Sequence, residues 1–170
     1  EAGDVTHSFW VPRPGGKMDM IPGRTNRLLI QADAPGVYKG QCAEYCGGPH
    51  ALMGFTVVAH APEDFARWQA SRRPAATGGG GQGLALFLSS GCAACHTIRG
   101  TPANGLAGPD LTHVGSRRTL GAGILPNNPG TMAGWIADAQ AIKPGNRMPA
   151  YHQFTGEELR AISDYLVTRK

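Results

Sequence analysis

The stretch "GQCAEYCGGPHALM", Gly40 to Met53, gathers two cysteines, a glutamate, a histidine and a methionine into fourteen residues. Cys42 and Cys46 lie four apart, His50 follows four later, and Met53 three after that. A second stretch, "GCAACHT", supplies Cys92, Cys95 and His96. Thiolate, thioether and imidazole are soft or borderline donors, so the chemistry to consider is metal binding and electron transfer.

Two thiols three apart on a helical turn can both reach the vinyl groups of one haem, and the adjacent histidine then faces the iron from the same side. A bare CxxC would also suit a redox disulfide or half of a zinc site. The histidine, the apolar run before it and the loop-rich remainder favour a c-type haem attached at Cys92 and Cys95, with His96 as an axial ligand. Met148 in "KPGNRMPAY" is the expected sixth ligand, a thioether in a loop stiffened by Gly and Pro. His/Met ligation raises the reduction potential, which suits an electron carrier. Met132 in "GTMAGWI" is the alternative, although a methionine in a helix-like stretch ordinarily fills core space. His113 and His152 are expected to be solvated loop histidines. "GPDLTHVGSR" is expected to fold over one haem edge, with Pro109 and Leu111 near the ring and Arg117 or Arg118 near the propionates.

The first loop admits three readings. Haem attachment takes place outside the cytoplasm, where Cys42 and Cys46 could close a disulfide, but such a bridge has no use for His50 and Met53. Zinc would accept two cysteines and two histidines, yet methionine is a poor zinc ligand. Thiolate, thioether and imidazole together suit copper, and the second cysteine lets two thiolates bridge two coppers. Each copper then needs roughly two further ligands. His50, Met53, a backbone carbonyl and another histidine can supply them, and His7 in "DVTHSFWVP" is the natural candidate for the last.

Positioning these residues calls for two architectures. The first half reads as β, with "HSFWVP", "RLLIQAD" and "GFTVVAHA" as short β-branched or aromatic runs between the turn signals "RPGG", "IPGR" and "APGVY". "PEDFARWQASRR" predicts a short helix with Phe65 and Trp68 on one face. Four consecutive glycines in "RRPAATGGGGQG" resist regular structure, so a linker is expected. The resulting boundaries are a first domain 1–73, a Gly-rich linker 74–82 and a second domain 83–170. The second domain reads as α, with "GLALFLSSG" a helix ending near Gly91 and "GTMAGWIADA" another stopped by "KPG". "TGEELRAISDYLVTRK" predicts the best helix, opened by a Thr155/Glu158 capping box and carrying Leu159, Ile162 and Leu166 on one face.

Bulk composition narrows the class further. Of the 170 residues 41% are hydrophobic, which excludes a disordered chain, and 25 glycines with 13 prolines predict many loops. The net charge of +4 permits docking to an acidic partner, but no Lys/Arg cluster with interleaved aromatics points to nucleic acid. No apolar run approaches the ~18 residues of a membrane span, and "EAGDVTHSFW" does not open like a signal peptide. His60, Asp19, Asp33 and Asp110 read as capping or surface residues, and Trp10 as core.

"DVTHSFWVPRPGGKMDMIPGR" followed by "ADAPGVYKGQCAEYCGGPHALMGFTVVA" resembles subunit II of haem–copper cytochrome c oxidases, over about Asp4 to Ala59. Gly83 to Lys170, with "GLALFLSSGCAACH", a late "MP" and the closing "EELRAISDYL", resembles the small cytochromes c. Together they resemble bacterial oxidases that carry a cytochrome c on subunit II. The resemblance implies a cupredoxin-like β-sandwich followed by an all-α class I cytochrome c domain. It implies a dinuclear CuA centre bridged by Cys42 and Cys46, one copper completed by His7 and Met53, the other by His50 and the main-chain carbonyl of Glu44. The Glu44 side chain would turn toward a magnesium ion at the boundary with subunit I. An electron would pass from an external donor through the haem to CuA and on to subunit I, at the extracytoplasmic face of a bacterial membrane, where oxygen is reduced. The same electron-entry design would serve a nitric oxide or nitrous oxide reductase, and a cytochrome c joined to a metal-free disulfide module is the reading from another class. The family's membrane hairpin and early sandwich strands fall before Asp4, so either the chain is a fragment of a longer, membrane-anchored subunit or its first domain depends on contacts with partner subunits.

Overall fold

A computed structural model describes residues 2–73 and 80–170. The chain divides into two compact units, Glu1–Gln69 with Gly121–Ile124, and Ala70–Leu120 with Leu125–Lys170. Most of the expected linker, 74–79, lies outside the described residues, while Gly81 and Gln82 already belong to a helix.

The first unit holds a four-stranded antiparallel sheet in the order β2-β1-β3-β4. Its strands are β1 (His7–Trp10), β2 (Lys17–Met20), β3 (Gly36–Cys42) and β4 (Gly54–Ala59). β1 and β2 form a hairpin closed by a bond from the Val11 N–H to the Gly16 carbonyl at 3.1 Å. Ser8 and Asp19 are directly opposed across it, and the buried Ser8 hydroxyl donates to Asp19 Oδ1 at 2.8 Å. That satisfied polar pair, with Val11 fully buried and Phe9 stacked on Phe55 at 4.8 Å, fixes β1 on the sheet. β4 leads into α1 (Pro62–Arg72), where Glu63 and Asp64 occupy the favourable first turn and Phe65 stacks on Trp68 at 5.6 Å.

Three expectations need correction. "RLLIQAD" is no strand: Arg27–Asp33 has no ladder partner, and Leu29 is 93% exposed. A short apolar run becomes a strand only when a neighbour pairs its backbone groups. "GVYKGQC", whose first three residues fall within the expected turn "APGVY", is the paired strand instead. Trp10 is 41% exposed at the end of β1 and is not core.

The second unit is helical, with α2 (Gly81–Ser89), α3 (Cys92–Cys95), α4 (Pro129–Ala137), α5 (Ala139–Ile142) and α6 (Gly156–Val167). A two-residue hairpin of β5 (Thr119–Leu120) and β6 (Leu125–Pro126) is its one sheet among the described residues. Phe87, Ile98, Val114, Met132, Ile136, Ile162 and Leu166 form a single buried core. α6 begins with the expected capping box, since Thr155 accepts from the Glu158 N–H and the Glu158 carboxylate accepts from the Thr155 N–H. α4 carries a second box, Asn128 with Thr131, that the sequence reading missed, and it stops at Ala137 because Asp138 turns its side chain to cap α5. No described helix is long and apolar enough to cross a membrane.

α2 and α6 cross at Gly83. A Cβ there would stand 2.2 Å from the Ala161 carbonyl oxygen, which is backbone and cannot step aside. Gly83→Ala is therefore expected to destabilise the second unit by about 1–3 kcal/mol, the usual range for overpacking. Urea denaturation followed by helical circular dichroism measures it, and an unchanged midpoint would refute the close crossing.

Candidate metal centre and haem site

The β3–β4 ladder runs from Gly36 opposite Ala59 to Gln41 opposite Gly54. One further bond, from the Cys42 N–H to the Met53 carbonyl at 3.1 Å, draws the neck of the loop together. On its other side, β3 meets β1: Phe9 is in register with Cys42, and the Ala43 N–H donates to the Ser8 carbonyl at 3.0 Å. β1 thus brings His7 to the Cys42 sulfur, while the bond at the neck holds Met53, the residue before β4, beside the Cys42 main chain. Within the loop, Gly47 takes φ 114°, a left-handed value that favours glycine, and a 3-10 turn at His50–Leu52 follows.

The side chains converge. Cys42 Sγ lies 3.7 Å from Cys46 Sγ, 3.9 Å from His7 Nδ1 and 3.3 Å from the Glu44 carbonyl oxygen. Cys46 Sγ lies 3.4 Å from His50 Nδ1 and 3.2 Å from Met53 Sδ. All six residues expected from the sequence therefore join one cluster, Glu44 through its main chain. Both thiols are free, and ligand atoms of His7, Cys42 and Cys46 lie within 4.8 Å of one another. The donor set fits two soft metal ions sharing a pair of sulfurs.

Residues that the sequence reading missed hold the ligands in place. Asp4 Oδ1 accepts from His7 Nε2 at 3.0 Å. The Gln41 amide donates to the His50 carbonyl at 3.3 Å, and the exposed Tyr45 ring meets His50 edge-on at 5.6 Å. The i, i+3 spacing of "DVTH" could have pointed to Asp4; nothing local points to Gln41.

The two thiols titrate differently. Burial opposes the Cys42 thiolate, but hydrogen bonds from the Ser8 and Glu44 backbone and from His7 and Cys46 outweigh it and bring its pKa down to about 6. Burial and then the neighbouring Cys42 push the Cys46 thiol up. His7 is raised chiefly by its bond to Asp4.

In the second unit the one-turn helix α3 presents Cys92, buried, and Cys95, exposed, with His96 just beyond. His96 Nδ1 lies 2.8 Å from the Pro109 carbonyl. A carbonyl only accepts, so Nδ1 carries the proton and Nε2 is left with its lone pair for a metal. The loop that makes this bond is pressed against the attachment turn: the Gly108 N–H donates to the Cys95 carbonyl at 2.7 Å, and a Cβ at Gly108 would stand 2.5 Å from the His96 ring. Two free thiols and a pre-oriented imidazole fit a covalently held haem.

Met148 is half-buried against the core. Its N–H donates to Asn146 Oδ1 at 2.8 Å and its carbonyl accepts from Gln140 at 2.6 Å, so the loop that carries it is fixed. Met132 is buried in α4 and packs in the core. His113 bonds the Lys170 carbonyl through Nδ1 at 2.7 Å and meets Arg99 at Nε2, while His152 lies 3.8 Å from Asp138. Leu111 is buried, and Arg117 donates to the Asp110 carbonyl. His60 stacks on Trp68 at 6.0 Å, and Asp110 accepts from the Thr112 N–H.

Residues 81–170 match the family described as cytochrome c, and residues 1–60 match the periplasmic domain of cytochrome c oxidase subunit II. The chain belongs to the cytochrome c family. More particularly, it joins that domain to a subunit II periplasmic domain, a cupredoxin-like antiparallel β unit followed by a helical cytochrome c unit. It is 42% identical to the cytochrome c oxidase subunit 2 of Alkalihalophilus pseudofirmus, over 99% of this chain and 50% of that protein. It is 36% identical to the subunit 2 of Bacillus sp. strain PS3, over 99% of this chain and 51% of that one. The chain thus spans about half the length of these curated relatives. Among solved structures, the periplasmic domain of subunit II of cytochrome oxidase of Bradyrhizobium japonicum matches at 40% identity, covering 40% of this chain and 49% of that one, with a TM-score of 0.39.

In reduced, copper-free protein the pair is expected to lose its first proton near pH 6, from Cys42, and its second only above the ordinary thiol range. A lowered pKa means thiolate is present from about pH 6 upward, so ultraviolet thiolate absorption should rise in two separated steps, the first of them lost in Cys42→Ser. Titration of that absorption across pH tests this; a single step in the ordinary thiol range would contradict it.

Proposed function

We propose that this chain passes electrons from an external donor through a c-type haem to a dinuclear copper centre, and on to subunit I of an oxygen-reducing terminal oxidase. The observation that carries the reading is the cluster around Cys42 and Cys46, three further side chains and a carbonyl already gathered within 3.2–3.9 Å of one or other sulfur. When bound, the coppers and the haem supply reversible one-electron chemistry. The protein's own task is to hold their ligands still. Cys42 and Cys46 would bridge the coppers, His7 and Met53 completing one and His50 with the Glu44 carbonyl the other. The hairpin neck and the Asp4, Gln41 and Tyr45 contacts restrain those ligands.

Cys92 and Cys95 would hold the haem covalently, and His96 and Met148 would supply the ligands to its iron. The Pro109 carbonyl orients His96, and Asn146 and Gln140 anchor the main chain of Met148. The exposed Glu44 side chain is free to meet a magnesium ion at the boundary with subunit I. The subunit II periplasmic family of the first unit supports an extracytoplasmic site of action. The relatives named as oxidase subunits support oxygen, rather than a nitrogen oxide, as the terminal acceptor.

Reconstitution of reduced, haem-bearing protein with copper is expected to give two coppers and one haem per chain, with a paramagnetic hyperfine pattern from two equivalent copper nuclei. Cys46→Ser should abolish that pattern while leaving the haem spectrum intact, because it removes one bridge. Met148→Ala should leave copper intact and lower the haem potential. Protein that takes up no copper under these conditions, with both thiols shown to be reduced, would overturn the reading.

A further inference from the structure

His7 is committed at its far nitrogen. Nε2 lies 3.0 Å from Asp4 Oδ1, and an ionised carboxylate only accepts, so Nε2 holds a proton and, in the neutral ring that binds a metal, Nδ1 keeps its lone pair. Nδ1 is the nitrogen 3.9 Å from Cys42 Sγ. The short path from Asp4 through Val5 and Thr6 to the first residue of β1 ties the carboxylate to the same strand end that delivers the histidine. His50 is held otherwise, by the edge of the Tyr45 ring and by the Gln41 amide on its main-chain carbonyl. One imidazole of the cluster therefore has a negative charge behind it, and the other has neutral neighbours.

Resting on the copper reading above, we propose that Asp4 is a positioning residue for the copper pair: its carboxylate fixes the tautomer and ring plane of His7 and places negative charge behind one copper only. A carboxylate behind a ligating imidazole increases its basicity, and negative charge near a metal favours the more oxidised state. Asp4 therefore lowers the reduction potential of the pair and slows copper loss. Its side chain is 55% exposed, so water moderates the charge effect, while the hydrogen bond still fixes the ring. Charge and hydrogen bond are separable, since Asp4→Asn keeps an accepting oxygen without the charge and Asp4→Ala removes both.

The experiment compares the full 170-residue chain with D4N and D4A, first copper-free and then copper-loaded. Copper-free, the His7 ring N–H is followed by proton exchange in nuclear magnetic resonance; exchange should be faster in D4A and intermediate in D4N. Copper-loaded, the potential of the copper pair should rise by a similar amount in both variants, because both lack the charge, while the haem potential stays put. Competition with a chelator should show copper lost more readily from D4A, by roughly tenfold or more, the usual cost of removing a ligand's hydrogen-bond partner. Unchanged ring N–H exchange in D4A, or an unchanged copper potential in both variants, overturns the proposal. A parent chain that binds no copper overturns the copper reading instead, and the exchange measurement then still decides whether Asp4 holds His7.

Discussion

Cys42 is the end residue of a strand paired on both sides, and that double pairing decides where the soft ligands go. Its residue partner on one side is Phe9, and its own N–H reaches Met53 on the other. Because side chains alternate along a strand, a slip of one residue would turn Cys42 to the opposite face and separate its sulfur from both His7 and Cys46. The register is held by features with no metal chemistry of their own. Ser8 locks against Asp19, Phe9 stacks on Phe55, and Gly54 lies opposite Gln41 at the last rung. The sheet is a jig, and the loop 43–52 inherits its precision at both ends.

The second unit solves the same problem with a helix turn. α3 is too short to be stable alone, so its two cysteines depend on what presses on it. The Gly105 N–H bonds the Ala93 and His96 carbonyls, and the Gly108 N–H bonds that of Cys95, which leaves no room for a side chain at Gly108 beside the imidazole. The Pro109 carbonyl then selects the His96 tautomer. In both units an imidazole proposed as a ligand is oriented by an oxygen behind it. At His7 that oxygen is charged and half in water, whereas at His96 it is a neutral backbone carbonyl.

The soft donor residues that converge in the structure were legible in the sequence because their spacing is local. CxxCH, and the four-residue steps from Cys42 to Cys46 to His50, are visible without any fold, as is the Thr155/Glu158 cap of α6. The supports were not legible, because each is a long-range meeting. Nothing near His96 announces a carbonyl thirteen residues on, and nothing in "KMDM" marks β2 until Ser8 lies opposite Asp19. "RLLIQAD" failed for the converse reason: its composition suits a strand, but ladder partners are supplied by tertiary structure and not by propensity. His7 lies between, since its type was readable while its approach to Cys42 depends on the β1–β3 pairing.

The unequal thiols bear on how such a centre fills. Metal binding needs thiolates, and protonated thiols make it release protons. Cys42, with a pKa near about 6, is already largely thiolate at neutral pH, while Cys46 holds its proton. A first soft cation would therefore find a ready anionic sulfur at Cys42, beside His7 Nδ1, the nitrogen that the Asp4 contact leaves without a proton in the neutral ring, and beside the Glu44 carbonyl. Its positive charge would in turn lower the Cys46 pKa, since an opposite charge favours the thiolate. Binding at the first sulfur thus prepares the second, and with Met53 and His50 already 3.2 and 3.4 Å from Cys46 Sγ, little of the chain has to move for a second metal to follow.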